Sequence, residues 1–281
     1  MQSGRLFVVT IFALLILACP SAVFATQVFN EAAAKPEVVP VTGDVAFGNC
    51  GGPEIPTIHP EFEQKIVELT NEIRMQHGLP PLKHVEALDK SARYHTADMS
   101  VSNYFSHETQ RRDGDRFVMV CDTWNRIEAY YTDWLALAEN IAAGQRTPEM
   151  AMDGWMNSPD HRHNILSDHY SEIGVGFFEG SGEYRYYWGQ NFGRRNGIFP
   201  IVLNGEKART STNQVPVYIY GDFDSMRLRN NEGEWTGWLP FENEFQWALP
   251  GNAGTHTVIV ELRGRGLHTT SSDTIELIAE E

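Results

Sequence analysis

Most of the residues in this 281-residue chain that could do chemistry crowd into positions 138–176, AENIAAGQRTPEMAMDGWMNSPDHRHNILSDHYSEIGVG, with the tripeptide Phe105-Ser106-His107 as an outlying partner. Glu139, Ser158, His161, His163 and His169 stand there between apolar segments. Neutral imidazoles and a carboxylate suit Zn²⁺ or a similar divalent ion, with positions left open for water. A water bound to such an ion becomes nucleophilic and a spare carboxylate can act as base, so metal-assisted hydrolysis is within reach of these residue types. No HExxH pair occurs, so the ligands would come from separate elements and meet only through the fold. A serine-hydrolase arrangement is disfavoured. Ser106 and Ser158 lie in no GxSxG elbow, and Ser106 next to His107 in sequence is not nucleophile–base geometry. The plain alternative is a structural network, His and Glu hydrogen-bonded across helix ends.

Helices and a hairpin are expected to position these groups. Phe62, Ile66, Leu69 and Ile73 recur at three- and four-residue steps, which predicts an amphipathic helix closed by Gly78 and Pro80-Pro81. A second helix is predicted over residues 85–101, with Leu88, Ala92, His95 and Met99 on one face. On that apolar stripe His95 reads as a hydrogen-bonded core residue rather than a ligand. His107 follows the helix and the aromatic anchors Tyr104 and Phe105, a place where scaffolds present functional groups. Residues 108–134, mixed in charge and carrying Asp113-Gly114 and Cys121, read as a partly helical insertion. Glu139 interrupts the apolar run 135–141. Buried, it needs a partner; as a surface acid at a helix or loop edge, the reading that sequence alone favours, it needs none. Thr147-Pro148-Glu149 and Ser158-Pro159-Asp160 are two helix starts, each an N-cap followed by Pro and an acid. The second places His161 in the first turn of a short helix ending at Leu166. His169 precedes a strand over residues 172–179, and Gly180-Ser181-Gly182 turns the chain into a second strand over 184–192.

The chain holds 37 acidic and 22 basic residues, a formal charge of −15. That balance argues against nucleic acid and anionic lipid, both of which call for a basic footprint. Residues 1–25 combine Arg5, an apolar run from Leu6 to Ala18, and the small residues Val23 and Ala25, the layout of a secretory signal peptide cleaved after Ala25. A lipid-modified Cys19 is the alternative, with Leu17 and Pro20 making a poor recognition sequence. The apolar run is too short to remain as a membrane span. Residues 26–59, rich in Pro and Gly without periodicity, read as an extended arm. Cys50 and Cys121 remain after cleavage, and in an exported chain an even pair reads as one disulfide, with two free thiols as the alternative.

From about residue 197 the period changes. Val215, Val217 and Ile219 alternate, as do Phe245, Trp247 and Leu249, then Val258, Val260 and Leu262, then Ile275 and Leu277, with turn signals between them. About seven short strands in this length predict a β-sandwich. Trp235 and Trp238 read as the edge of its core, with a stacking platform for sugar rings as the alternative. Without a basic stripe, the module reads as a spacer or a protein-contact domain.

Several ordered motifs carry a resemblance. They are Asn71 and Arg74, His95-Thr96-Ala97-Asp98-Met99, Tyr104-Phe105-Ser106-His107, Ala138-Glu139-Asn140-Ile141-Ala142, Trp155 through Arg162, Asn164-Ile165-Leu166, Ile173-Gly174-Val175-Gly176 and Gln190-Asn191-Phe192-Gly193. Over about residues 60–195 the chain resembles the bacterial branch of the CAP superfamily, the cysteine-rich secretory protein, antigen 5 and pathogenesis-related 1 (SCP-like) domains. The resemblance implies an α-β-α sandwich with a central antiparallel sheet and a cleft lined by two His and two acids. It makes His107 similar to the first cleft His, Glu139 to the first Glu, and His169, within His169-Tyr170-Ser171, to the second His. Where the family has its second Glu, three residues after Trp, this chain has Ser158, and His161 is the nearest substitute. The run from Met226 to Leu262 resembles immunoglobulin-like or fibronectin-like modules of bacterial surface proteins.

The expected chain is therefore α+β, with a signal peptide at 1–25, an arm at 26–59, a CAP domain at 60–196 and an immunoglobulin-like β-sandwich at 197–281. The expected function is that of a secreted protein whose cleft of His107, Glu139 and His169 binds a divalent cation, Zn²⁺ or Mg²⁺/Ca²⁺, and an extracellular ligand. One alternative is a metal-dependent hydrolase of peptide or phosphodiester bonds with Glu139 as candidate catalytic group. The other is an extracellular interaction protein with a structural cleft. Neither nucleic acid nor a stable membrane span is expected.

Overall fold

The computed structural model describes residues 47–48, 50–52 and 54–279; the expected signal peptide, the Cys19 alternative and most of the arm lie outside them. Helix α1 (Pro60–Gln76) opens on Pro60, where a missing N–H leaves no bond unmade, and carries Glu61 and Glu63 in its positive first turn. Strand β1 (Lys83–His84) leads into α2 (Glu86–Val101). The stretch expected to be a partly helical insertion is helical only over α3 (Thr123–Glu128) and opens on an unexpected hairpin, β2 (Thr109–Asp113) and β3 (Arg116–Cys121). The Asp113-Gly114 pair makes the turn, with Gly114 at φ +59°, a conformation glycine adopts without strain. The remaining elements of this half are β4 (Trp134–Ala143), α4 (Pro148–Met156), α5 (Pro159–Ile165), β5 (Glu172–Glu179) and β6 (Tyr186–Arg195).

The sheet runs β1-β5-β6-β4, antiparallel except where β1 meets β5. One face packs against α1, α4 and α5, burying Ile66, Trp155 and Ile165 on Ala138, Ala142, Val175 and Trp188. The opposite face lies under α2 and α3, through Leu88, Ile127 and Tyr131 in one cluster and Met99, Tyr104, Ile141 and Tyr187 in another. This is the expected α-β-α sandwich. Helix α2 lies directly on the sheet because Gly174 and Gly176 offer no side chain there. A Cβ on Gly176 would stand 2.2 Å from the Arg93 nitrogen. Alternation along β4 sends Ala138, Asn140 and Ala142 to one layer and Glu139 and Ile141 to the other. Glu139 is therefore buried within a strand, not a surface acid at a helix or loop edge, because the period of two turns it inward beside Ile141.

Ahead of α1 the chain is held by side chains that bond its backbone. Tyr94 Oη and Arg111 Nη2 both donate to the Gly48 carbonyl, at 2.7 and 2.6 Å. A disulfide joins Cys50 to Cys121 at the end of β3, with Cα atoms 5.2 Å apart.

A second core begins at Ile201. Strands β7 (Ile201–Leu203), β8 (Arg209–Thr210), β9 (Gln214–Ile219), β10 (Ser225–Asn230), β11 (Leu239–Pro240), β12 (Glu244–Ala248), β13 (Gly254–Gly264) and β14 (Leu267–Leu277) make two sheets. These are β11-β10-β13-β14-β8 and β12-β9-β7, closed on Val215, Val217, Leu228, Val258, Val260 and Ile275. This module bonds to the first half at several points. Lys83 lies between Glu206, at 3.0 Å, and Asp273, and Tyr220 Oη donates to the Pro81 carbonyl at 3.1 Å. Trp235 and Trp238 do not join the core cluster, and their half-buried rings lie against arginines instead. Arg227 and Arg229 cover Trp235, and Arg227 and Arg263 cover Trp238. Among the described residues no helix is long and apolar enough to cross a membrane.

Candidate cleft around His107

Past the end of α2 the chain turns through Asn103, at φ +53°, into the loop that carries His107. Its backbone is fixed by α3: the His107 carbonyl accepts from Thr123 Oγ1 at 2.9 Å and from Arg126 Nη1 at 2.6 Å. Its ring reaches across to the sheet, where Nδ1 lies 2.9 Å from Glu139 Oε1. Arg126, with no exposed surface, donates through Nη2 to the other carboxylate oxygen. A carboxylate is only an acceptor, so the proton of this bond belongs to His107 Nδ1 and the lone pair of the neutral ring is on Nε2. The His107 side chain is 46% exposed and that of Glu139 2%.

The charges follow from these contacts. Burial opposes ionisation of Glu139, but Arg126, His95 and His107 around it overcome that and hold its pKa at about 2. The bond to Glu139 raises the pKa of His107 above its ordinary value against the effect of burial. His95, expected as a core residue, is one: fully buried, it donates from Nε2 to the Ser106 carbonyl at 2.9 Å. Burial and then the Arg126 charge push its pKa down to about 3, so it stays neutral beneath the cleft. Its Nδ1 has no protein partner among the described residues.

Helix α5, which carries His161, is tied to the strand that holds Glu139. Asn140 on the opposite face of β4 donates to the His161 carbonyl at 3.1 Å and accepts from Asn164 at 2.9 Å. Asn140 also donates to Gln190, which donates to Thr70 of α1 at 2.7 Å. This chain of amides ties the first turn of α5 to the free edge of β4. The half-buried His161 has its pKa lowered, first by burial and then by the charge of His107.

His169 does not join them. Its side chain is 77% exposed and its nearest acid is Asp168, at 3.4 Å. Among the described residues no three His, Cys, Asp or Glu side chains are gathered closely enough to hold a metal ion. Ser158 is the N-cap residue of α5 without a side-chain cap bond, and His163 is exposed. Phe105, expected as a buried anchor, is 45% exposed and packs on the exposed Tyr184, while Tyr104 is the anchor, donating to Asp98 at 2.8 Å. The sequence reading missed Arg126. The signal available was an Arg beside Ile127 in a segment with a good N-cap, Asp122, but nothing local names its partner 13 residues on.

Chemically, both oxygens of Glu139 are engaged and the group is held ionised. It is suited to orienting His107 rather than to taking a proton. What the cleft presents outward is the His107 imidazole, backed by a buried carboxylate.

A protein-family model described as CAP, the cysteine-rich secretory protein family, matches residues 67–192. Over 131 residues the chain is 42% identical to the uncharacterized protein YkwD of Bacillus subtilis strain 168, a match covering 47% of this chain and 46% of that protein. It is 34% identical over 133 residues to the uncharacterized membrane protein YlbC of the same organism, covering 47% and 34% respectively. The chain thus spans less than half the length of the curated relatives it matches. It is also similar, at 32% identity and a TM-score of 0.42, to the crystal structure of an extracellular SCP-domain protein from Bacillus anthracis strain Ames, covering 52% of this chain and 45% of that one.

Proposed function

We propose, for a chain that carries a CAP domain of the cysteine-rich secretory protein family over residues 67–192, that it works outside the cytoplasm by holding a divalent cation and an extracellular ligand at His107 and His161. The observation that carries this is the 2.9 Å bond between His107 Nδ1 and the buried Glu139. A carboxylate behind a histidine fixes the ring and raises its basicity, which is how outer carboxylates support metal-bound imidazoles. Export agrees with the disulfide between Cys50 and Cys121, since such bonds persist in oxidising compartments.

The donor set fits a borderline ion such as Zn²⁺ better than Mg²⁺ or Ca²⁺. The harder ions favour oxygen ligands, and Arg126 and His107 already hold the carboxylate of Glu139. In this reading His107 and His161 are the ligands and Glu139 is the outer partner, in place of the set His107, Glu139 and His169. A bound ion would supply Lewis-acid polarisation of a ligand oxygen. The hydrolase alternative loses its expected base, because Glu139 is held near 2. Its nearest replacement is His161, which burial keeps neutral.

Calorimetric titration of the purified protein with zinc at pH 7.5 tests this. Binding should be lost in His107→Ala and weakened about 10- to 100-fold in Glu139→Gln, as for other outer-sphere partners. No binding by the unaltered protein, or unaltered binding by both variants, would sink it.

A further inference from the structure

The exposed side of the five-stranded sheet carries a feature unrelated to the cleft. Arg227 and Arg229 point outward from β10, and Trp235 and Trp238 fold back over them. The Arg229 guanidinium lies 4.8 Å from the Trp235 ring, Arg227 lies 4.8 Å from Trp235 and 4.9 Å from Trp238, and Arg263 of β13 lies 4.1 Å from Trp238. Rings and cations thus alternate in the order Arg229, Trp235, Arg227, Trp238, Arg263. Such contacts occur on the order of once per 70–80 residues in folded chains, so four in one strip mark a built surface.

Its charge is only partly neutralised. Arg227 pairs with Glu261, which also meets His268. Arg229 and Arg263 form no ion pair among the described residues, and Arg229 Nε is buried without a hydrogen-bond partner. Arg227 and Arg229 are one two-residue step apart on β10, and Arg263 stands opposite Ser225, one further such step along the strand. The cations therefore recur at a step of about 7 Å along the strand. A guanidinium carries five N–H donors in a planar fork, so one that lies against a ring and has no carboxylate partner can still grip an oxyanion with two bonds.

From this ladder we infer a docking strip for a polymer of repeated phosphodiesters joined by short polyol units. The guanidiniums against each indole favour one phosphodiester source. Single-stranded nucleic acid binds proteins by stacking its bases on open aromatic faces, and here each ring already lies against two guanidiniums. A polyol phosphate brings the oxyanions and asks for no stacking platform. Elsewhere the chain's net charge of −15 repels a polyanion, which confines the contact to this strip and makes it salt-sensitive.

The test uses the exported chain, a synthetic glycerol-phosphate oligomer, and an oligothymidylate of equal charge as competitor, read by tryptophan fluorescence and calorimetry at low salt. The expected result is saturable binding to the glycerol-phosphate oligomer that weakens with salt. It should fall at least tenfold in the Arg229→Gln/Arg263→Gln double variant, with the salt slope reduced by about one per arginine. Arg263→Gln alone, at an exposed position, covers the case in which the double variant does not fold, and Arg263→Lys should bind between it and the unaltered chain. Absence of binding, equal binding by a folded Arg263→Gln, or tighter binding of the oligothymidylate would overturn the inference.

Discussion

Replacing Arg126 by Met removes the fully buried cation bonded to Glu139 and leaves the apolar stem in place. The guanidinium donates to the His107 carbonyl at 2.6 Å and to Glu139, and has no exposed surface. Its loss leaves a carboxylate whose side chain is 2% exposed with the half-exposed His107 as its remaining charged partner. Breaking one side of a buried pair costs about 3–5 kcal/mol, because the remaining charge is uncompensated. Glu139→Gln removes that charge, so the double variant Arg126→Met/Glu139→Gln should lose less than the sum of the singles, with a coupling of about 2 kcal/mol or more. Urea unfolding at pH 7, followed by far-ultraviolet circular dichroism, gives the four free energies from midpoints and slopes. A cost below about 1 kcal/mol for Arg126→Met, or a cycle additive to within about 0.5 kcal/mol, would refute the reasoning.

Three further outcomes are expected. His95, neutral and buried with a pKa of about 3 in the fold against an ordinary 6.5, contributes stability that is in place above pH 6.5 and lost as pH falls toward 3. In His95→Gln the decline between pH 6.5 and 4.5 should therefore be shallower by about 1.4 kcal/mol per pH unit, measured from urea midpoints at several pH values; equal slopes would rule this out. Gly176→Ala would place a Cβ 2.2 Å from the Arg93 nitrogen and 2.3 Å from the Ala92 carbonyl carbon. Helix α2 must then lift, costing about 3 kcal/mol and lowering the melting temperature by roughly 6–12 °C in a scan. The disulfide closes a loop of sequence separation 71, so Cys50→Ser/Cys121→Ser should cost about 4 kcal/mol by the loop-closure account. Adding reductant to the unaltered protein should give the same loss in an unfolding titration.

What could be read before folding was what neighbours along the chain decide. The Thr147 cap on α4, bonded to the Met150 N–H at 3.3 Å, the α5 start at Pro159, and the β5–β6 hairpin all follow from spacing and turn residues a few positions apart. The β2–β3 hairpin was hidden because Phe117, Val118 and Met119 are exposed in succession, so no alternation announces the strand. In the cleft the decisive partners are distant. Glu139 meets Arg126 across 13 residues and His107 across 32, and an apolar flank alone does not tell a paired buried acid from an exposed one. His169 sits before its strand much as the family motif suggests, yet the turn after α5 leaves it in solvent. The first turn of α5 is tied to β4 through Asn140, whose side chain reaches the opposite layer of the sandwich and donates to the His161 carbonyl.

The central claim is that His107 and His161, not His169, present a cation site supported by Glu139. Anomalous scattering from zinc-soaked crystals of the unaltered protein, His161→Ala and His169→Ala tests it most directly. A peak about 2.0–2.1 Å from imidazole nitrogens of His107 and His161, abolished in His161→Ala and kept in His169→Ala, is predicted. A peak bound by His169, or one that survives in His161→Ala, would contradict it.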